Sequence, residues 1–424
     1  MEYKKIKIKK DNYTLHLIKT DRFKTINVGL KFTKLYDKNE FCYLKLLERV
    51  LPMNGTKKYK NVNEITKKLE SLYNAGITFR SLITSKNMSF EASLRFINPK
   101  YTEMSIYNET FDMFREIIVN PIIKDNCFNV FEVHKENLIN SINNVKDNMG
   151  AYGSLLFNER FYKDTIYAEN NYKDIDIFKS LTNKQLYKTY LKLFDSFKID
   201  VFVIGDYDEE SVLTNVDKLL KGFKERDNTS KELYIDIKSK YKIDKEEYPA
   251  NQSILLVGLT LKDLTIEERD YQMLLYSTIL GSMNNSVLFV NVREKNSLCY
   301  HIGSTINRFT KTIIIDSGIN KENFDETLRL IKESLESMKD ESVIDSLIDN
   351  AKKTLNIAFN DFYENPFKIV NYYYLREFTN IPSIEDRKKY IDNMTSKNVS
   401  DLAKKIDIKE VFLLEGVKNE ENWF

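Results

Sequence analysis

The chain has 424 residues and a mass of 50.1 kDa, with 42% hydrophobic and 30% charged residues. This composition is typical of an ordinary soluble protein. The chain is too long for one core, so two or more domains are expected. Lys and Arg number 65 against 63 Asp and Glu, a near balance that argues against nucleic acid or an anionic membrane as partner.

The cysteines and the N-terminal sequence indicate where the protein resides. Cys42, Cys127 and Cys299 are odd in number and far apart, which favours a reducing compartment. The start, MEYKKIKIKKDNYTLHLIKT, lacks the apolar core of a signal peptide, and no run approaches the roughly 18 residues of a membrane span. We therefore expect a cytoplasmic protein.

Apolar spacing predicts a similar series of elements in each half of the chain. In the first half it predicts a strand, two helices, a hairpin and a helix pair, at 26–32, 41–51, 62–74, 77–97, 106–119 and 128–145. In the second half it predicts helices at 270–280 and 286–298, strands within 300–319, and helices at 324–338 and 343–359. One helical stripe is predicted to be core and consists of Phe324, Leu328, Ile331, Leu335 and Met338.

Two sequence echoes indicate an internal duplication. The segment INVGLKF at 26–32 is echoed by LLVGLTL at 255–261, and the segment that begins at Leu181 is echoed by one that begins at Met394. In both segments of this second echo, a Thr suited to an N-cap opens a predicted helix, and an apolar strand follows that ends at Gly205 or Gly416. We therefore predict an α+β fold of two homologous lobes, each a mostly antiparallel sheet covered by helices, facing each other across a cleft.

A charged stretch at 224–249, KERDNTSKELYIDIKSKYKIDKEEYP, is poor in core-forming residues and is predicted to be an interdomain linker. The domains would then be an N-terminal lobe at 1–223 and a C-terminal lobe at 250–424. The same stretch could equally be a long exposed loop with no mechanical role, and the sequence leaves both interpretations open.

The stretch NVREKNSLCYHIGSTINR at 291–308 places Arg293 and Tyr300 seven residues apart, where a predicted helix gives way to a strand. Two helical turns span about 10 Å, so the two side chains could point into one cleft. Spacing alone also allows a solvated Arg and a half-buried Tyr with no function.

The run LFVNVREKNSLCYHIGS resembles a segment of the pitrilysin/insulinase metallopeptidase family. In that family the corresponding Arg and Tyr belong to the second homologous half and hold the substrate backbone or its terminal carboxylate. The resemblance therefore implies that Arg293 and Tyr300 bind substrate. Some bacterial members are heterodimers in which one subunit carries the zinc motif and the other carries this pair.

The family's inverted zinc motif, H-x-x-E-H, is degenerate in this chain. In KLLERVLPMNGTKKY, Lys45 and Arg49 occupy the two His positions and only Glu48 is kept, while the third ligand would fall near Asn140 or Ser141. A guanidinium has no lone pair to give to a metal, and a lysine would first have to lose its proton. The only histidines, which lie in separate predicted elements, are His16, His134 and His301.

These observations lead to one expected function and leave alternatives open. The resemblance implies a zinc-less, substrate-binding subunit that holds peptide in an interior chamber for a zinc-bearing partner, with no metal and no catalytic residue of its own. The main alternative is a non-catalytic scaffold or peptide-binding protein of the same fold. A self-sufficient metallopeptidase with a displaced metal site would need ligands that the sequence does not offer.

Overall fold

The computed structural model describes residues 1–8, 13–102, 106–169 and 173–417. The strands are β1 Glu2–Ile8, β2 Tyr13–Lys19, β3 Thr25–Leu35, β4 Gly76–Thr84, β5 Asn87–Ile97, β6 Ile123–Lys124, β7 Cys127–Phe128, β8 Lys198–Gly205, β9 Lys242–Pro249, β10 Ser253–Leu261, β11 Cys299–Asn307, β12 Thr312–Ile319 and β13 Ile406–Val417.

The α-helices are α1 Lys38–Val50, α2 Val62–Ser71, α3 Ile106–Val119, α4 Phe131–Asn143, α5 Met149–Phe161, α6 Ile175–Ser180, α7 Asn183–Lys192, α8 Glu209–Leu220, α9 Met273–Ser277, α10 Phe324–Ser337, α11 Glu341–Asp345, α12 Ile348–Phe362, α13 Pro366–Leu375, α14 Ile384–Asp392 and α15 Ser396–Ala403. In the described residues, three π-helical segments lie at Glu268–Gln272, Thr278–Ser282 and Phe289–Glu294. Within the described ranges no helix is both long enough and apolar enough to span a bilayer.

The chain forms two compact units, and neither is a continuous stretch of sequence. The first comprises Met1–Asn143, Asn171–Leu233 and Glu364–Thr379, and the second comprises Asn144–Asn170, Tyr234–Tyr363 and Asn380–Phe424. These units differ from the expected lobes at 1–223 and 250–424, because the segment with α5 belongs to the second unit and the segment with α13 belongs to the first.

The first unit contains a six-stranded sheet in the order β1-β2-β8-β3-β5-β4, with β2 and β8 parallel and the other pairs antiparallel. Side chains alternate between the faces of a strand, so Ile26, Val28 and Leu30 of β3 enter one core. The helices α1, α3, α4, α7 and α8 contribute buried residues to the same core.

The second unit repeats this arrangement in a five-stranded sheet in the order β11-β12-β10-β13-β9. Here β10 corresponds to β3, and β13, its antiparallel neighbour, corresponds to β8. The strand β9 pairs in parallel with β13, as β2 pairs in parallel with β8, so β9 corresponds to β2. The shared strand order confirms the duplicated α+β fold. The final part of the expected linker at 224–249 is thus the edge strand β9.

In each sheet, a helix packs over the glycine of the echoed segment, Gly29 in the first unit and Gly258 in the second. A Cβ on Gly29 would lie 3.6 Å from Val370 of α13, and a Cβ on Gly258 would lie 2.6 Å from Phe161 and 2.9 Å from Phe157 of α5. Each covering helix comes from the opposite half of the sequence. At Gly258 the missing side chain leaves room for α5, whereas a Cβ at Gly29 would make an ordinary van der Waals contact with α13.

Two helix predictions in the second half need correction. The helix expected at 286–298 ends as a π-helix at Glu294, and Ser297 adopts a left-handed conformation with φ of 52° before β11 begins. The helix expected at 343–359 is two helices, α11 and α12, because residues between them form a turn. The stripe on α10 is core as predicted, with Phe324, Ile331 and Met338 buried.

Candidate functional site

The helix α1 carries Lys45, Glu48 and Arg49, the residues predicted to be a degenerate zinc motif. Lys45 Nζ lies 2.9 Å from Glu48 Oε1, three residues further along the helix. The other carboxylate oxygen of Glu48 accepts a hydrogen bond from the backbone N–H of Ser81 on β4. The glutamate at the general-base position of the motif is therefore engaged at both oxygens by groups of this unit.

The position predicted for the third ligand lies on α4, next to Arg49 of α1. Arg49 Nη2 lies 3.4 Å from Ser141 Oγ, so the structure brings Ser141 to the motif, where the sequence had left both Asn140 and Ser141 open. Burial and the positive charge of Arg49 lower the pKa of His134, also on α4. An ammonium, a guanidinium and a hydroxyl do not form a zinc site, because zinc needs deprotonated nitrogen, sulfur or carboxylate ligands. The residues present do not fit the family's metal.

A different cluster in the first unit contains residue types that can bind a metal, but lysines already pair with its carboxylates. Among the residues that the structure describes, His16, Asp200 and Glu377 form the one group of three that could approach a metal ion. Lys198 donates to Asp200, and Lys5 Nζ lies 2.7 Å from Glu377 Oε2. Burial would raise the pKa of Asp200, but the hydrogen bond from His16 and the charge of Lys198 lower it to about 2. The carboxylates are thus held by lysines.

The second unit places Arg293 on the π-helical segment that precedes β11. Its guanidinium carbon lies 4.9 Å from the centre of the Phe289 ring, and its side chain is exposed. Over the described ranges no carboxylate or other hydrogen-bond acceptor engages it. A π-helical turn widens the backbone and is common at functional sites. One side of the Arg293 guanidinium therefore contacts the Phe289 ring, and its N–H donors have no acceptor within the described residues.

Tyr300 lies at a β-bulge near the start of β11. Cys299 pairs with Ile319 and His301 pairs with Gly318, which leaves Tyr300 as the extra residue between two successive partners. A bulge of this kind turns a side chain away from the regular alternation. The Tyr300 side chain is 60% exposed, which is unusual for a large aromatic residue in a strand.

Tyr300 borders a groove of about 460 Å³ that lies wholly in the second unit, between α5 and the strands β10, β11 and β12. Apolar side chains of Phe157, Ile254 and Leu256 line it, and His301 Nε2 lies 2.8 Å from Asp316 Oδ2 at its edge. No hydrogen bond joins Arg293 to Tyr300 in the part of the chain that the structure describes. The two residues flank one helix-to-strand junction as separate donors.

The fold is shared with solved structures of other proteins. It matches the crystal structure of a conserved protein from Enterococcus faecalis V583 with a TM-score of 0.88 at 22% identity, over 97% of this chain and 98% of that one. It also matches the peptidase M16 inactive domain from Pseudomonas fluorescens with a TM-score of 0.78 at 18% identity, over 99% and 100% of the two chains. Residues 180–355 match the family model described as Peptidase M16 inactive domain. The chain therefore shares the fold of these solved structures, and its segment 180–355 is similar to the inactive domain of the M16 peptidases.

One curated relative extends the similarity over the whole chain. The sequence is 25% identical over 419 residues to the "Probable inactive metalloprotease YmfF" of Bacillus subtilis (strain 168), covering 97% of this chain and 98% of that protein. The matched family segment includes Arg293 and Tyr300 and excludes Lys45, Glu48 and Arg49. The name "Probable inactive metalloprotease" of that relative agrees with the Lys45 and Arg49 that stand at the predicted zinc-ligand positions on α1.

Proposed function

We propose that this chain is the zinc-less, peptide-binding subunit of a heterodimeric M16 metallopeptidase. Arg293 and Tyr300 hold the substrate, and a partner with an intact H-x-x-E-H motif supplies the zinc and the water that attacks the peptide bond. The chain performs no hydrolysis alone, because Lys45, Arg49 and Ser141 replace the metal ligands.

The observation that carries the proposal is the state of Arg293. Its guanidinium is exposed and stacked on Phe289, yet it has no acceptor among the described residues. A guanidinium can donate two parallel charge-assisted hydrogen bonds to a carboxylate, or to neighbouring carbonyl oxygens. The Tyr300 hydroxyl, turned outward by the bulge, supplies one more donor of the kind that binds a carbonyl oxygen.

The test uses the complex of the chain with its zinc-bearing partner. Arg293→Ala removes a charge-assisted hydrogen bond worth about 1.5–3 kcal/mol, so kcat/KM should fall by about ten- to a hundredfold. Tyr300→Phe removes a neutral donor and should cost less. Both variants should melt near the parent's Tm and still assemble, because these exposed side chains grip substrate and contribute little to folding.

The opposite result would favour the scaffold hypothesis. Should the Arg293→Ala complex cleave peptides at the parent's rate, Arg293 is an ordinary solvated residue. The chain would then be a non-catalytic scaffold for its partner.

A further inference from the structure

The groove beside Tyr300 is a depression in one face of the second sheet. Side chains alternate between the faces of a strand, so every second residue of β10, β12 and β11 belongs to this face. Three rows of paired residues run across the strands: Ile254 with Gly318 and His301, Leu256 with Asp316 and Gly303, and Gly258 with Ile314 and Thr305. A Cβ on Gly318 would meet nothing within 4 Å. The floor therefore has open space above Gly318, where a larger residue would place a side chain.

The helix α5 forms one wall of the groove. It packs over β10 and β13, since a Cβ on its Gly153 would lie 3.4 Å from Leu414 and 3.8 Å from Ile254. The α5 residues that line the groove are three or four positions apart, share one helical face and are Gly150, Ser154, Phe157 and Asn158. On the β11 side Tyr300 and Thr305 are exposed. The groove is thus closed by α5 and open towards Tyr300.

The lining of the groove combines apolar surface with one polar pair. Its large apolar side chains belong to Phe157, Ile254, Leu256 and Ile314. Ile254 and Ile314 are only half-buried, so part of their apolar surface faces the open space. The side chains of His301 and Asp316, which are paired at 2.8 Å, are 66% and 39% exposed and therefore remain hydrated. Mostly apolar concave surfaces with a few polar groups are typical of ligand sites.

We infer that this groove binds one large apolar side chain of a peptide, either aromatic or long aliphatic. The inference rests on the function proposed above, because the Tyr300 hydroxyl at the rim is the group that holds the peptide backbone beside the groove. A side chain next to the bound carbonyl group then enters over Gly318 and removes apolar surface from water on both partners. The Asp316 carboxylate repels an acidic side chain at this place. The groove therefore selects among the peptides that Tyr300 can hold.

The test uses the full chain and the end-blocked heptapeptide Ser-Gly-Ser-Xaa-Ser-Gly-Ser, in which Xaa is the photo-crosslinking residue p-benzoylphenylalanine. Mass spectrometry of the digested product should locate the crosslink at Ile254, Leu256 or Ile314. The same peptide with Phe at Xaa should prevent crosslinking at about a tenfold to a hundredfold lower concentration than the peptide with Ala, because burial of the ring supplies that factor. The peptide with Asp should compete no better than the peptide with Ala.

A variant of the groove floor provides a second readout. Gly318→Val fills the open space and should lower the yield of the groove crosslink at least about tenfold. It should melt near the parent's Tm, because its Cβ meets nothing within 4 Å and valine suits a strand. The matched control is Glu247→Val, which adds the same side chain to an exposed position of β9 and should crosslink like the parent. The comparison of the Phe and Ala peptides needs no variant and holds even if Gly318→Val fails to fold.

The variants Arg293→Ala and Tyr300→Phe separate this inference from the proposed function. A lower crosslink yield at the same groove residues would support both. An unchanged yield in both variants, with the crosslink still in the groove, would contradict the proposed role of Arg293 and Tyr300 and still support an apolar side-chain site. A crosslink elsewhere or none at all, equal competition by the Phe and Ala peptides, or an undiminished yield in folded Gly318→Val would overturn the inference.

Discussion

The packing of α5 on β10 can be tested at Gly258. A Cβ at this position would lie 2.6 Å from Cε2 of Phe161 and 2.9 Å from Cζ of Phe157. Both rings are buried in a cluster with Leu256 and Phe412, so neither can swing into solvent to make room. Gly258→Ala therefore forces α5 away from the strand or drives the rings from their preferred rotamers.

The expected cost follows from this geometry. Overpacking a tight core by one methyl group destabilises by about 1–3 kcal/mol. For a unit of about 200 residues each kcal/mol lowers Tm by about 2–4 °C, so a fall of about 2–12 °C is expected. The control is Gly318→Ala on β12, where a Cβ would meet nothing within 4 Å. That variant should match the parent or gain slightly, because glycine weakens a strand interior.

The assay must follow the second unit, since two units need not unfold together. Hydrogen exchange of peptides from β10 and α5, read during a thermal or urea series, reports the local stability directly. Protection should fall in Gly258→Ala and persist in Gly318→Ala. If Gly258→Ala retains the parent's protection and Tm, α5 does not cover β10 in the way described.

Two further predictions concern the metal positions and pH. Lys45→His, Arg49→His and Ser141→Glu together restore three zinc ligands, so the triple variant should retain about one zinc per chain after dialysis, as measured by metal analysis. The parent should retain none, and one tightly held zinc in the parent would contradict the account. Burial raises the pKa of Glu410 on β13 from 4.5 to about 7 despite the attraction of Lys242, so the folded chain keeps a proton that the unfolded chain releases. Glu410 should therefore contribute most to the unfolding free energy below pH 4.5, and this contribution should be lost as pH rises through 7, so the unfolding free energy of Glu410→Gln should depend less on pH over this range. Urea titrations at several pH values that give the parent and Glu410→Gln the same pH dependence would refute this.

Elements built on strong local patterns were predictable from the sequence. The alternation in INVGLKF and LLVGLTL gave β3 and β10, and the apolar spacing gave α3 over Ile106–Val119. Thr182 and Thr395 each form a capping box at the start of α7 and α15, as their positions in the echoed segments indicated. These features depend on residues close in sequence, so a local pattern is enough to reveal them.

Features that depend on distant partners were not predictable. β9 is an exposed edge strand of sequence KIDKEEYP, and its charges hide the alternation while they protect the edge. The helices α5 and α13 carry no sign of which sheet they cover, because that choice depends on the complete fold.

The same distinction applies to the sites. The degenerate zinc positions on α1 were visible as a motif, whereas the choice between Asn140 and Ser141 required the packing of α4 on α1. Tyr300 was predicted as a site residue from the sequence around it. The bulge that turns it outward could not be predicted, because it depends on the pairing of β11 with β12.

The central claim, that this chain holds substrate for a zinc-bearing partner, is tested most directly by affinity purification of the tagged chain from its native cell. The account predicts that a protein with an intact H-x-x-E-H motif co-purifies in equal amount, and that the pair cleaves peptides that neither chain cleaves alone. Recovery of the chain without such a partner, or peptide cleavage by the isolated chain, would contradict it.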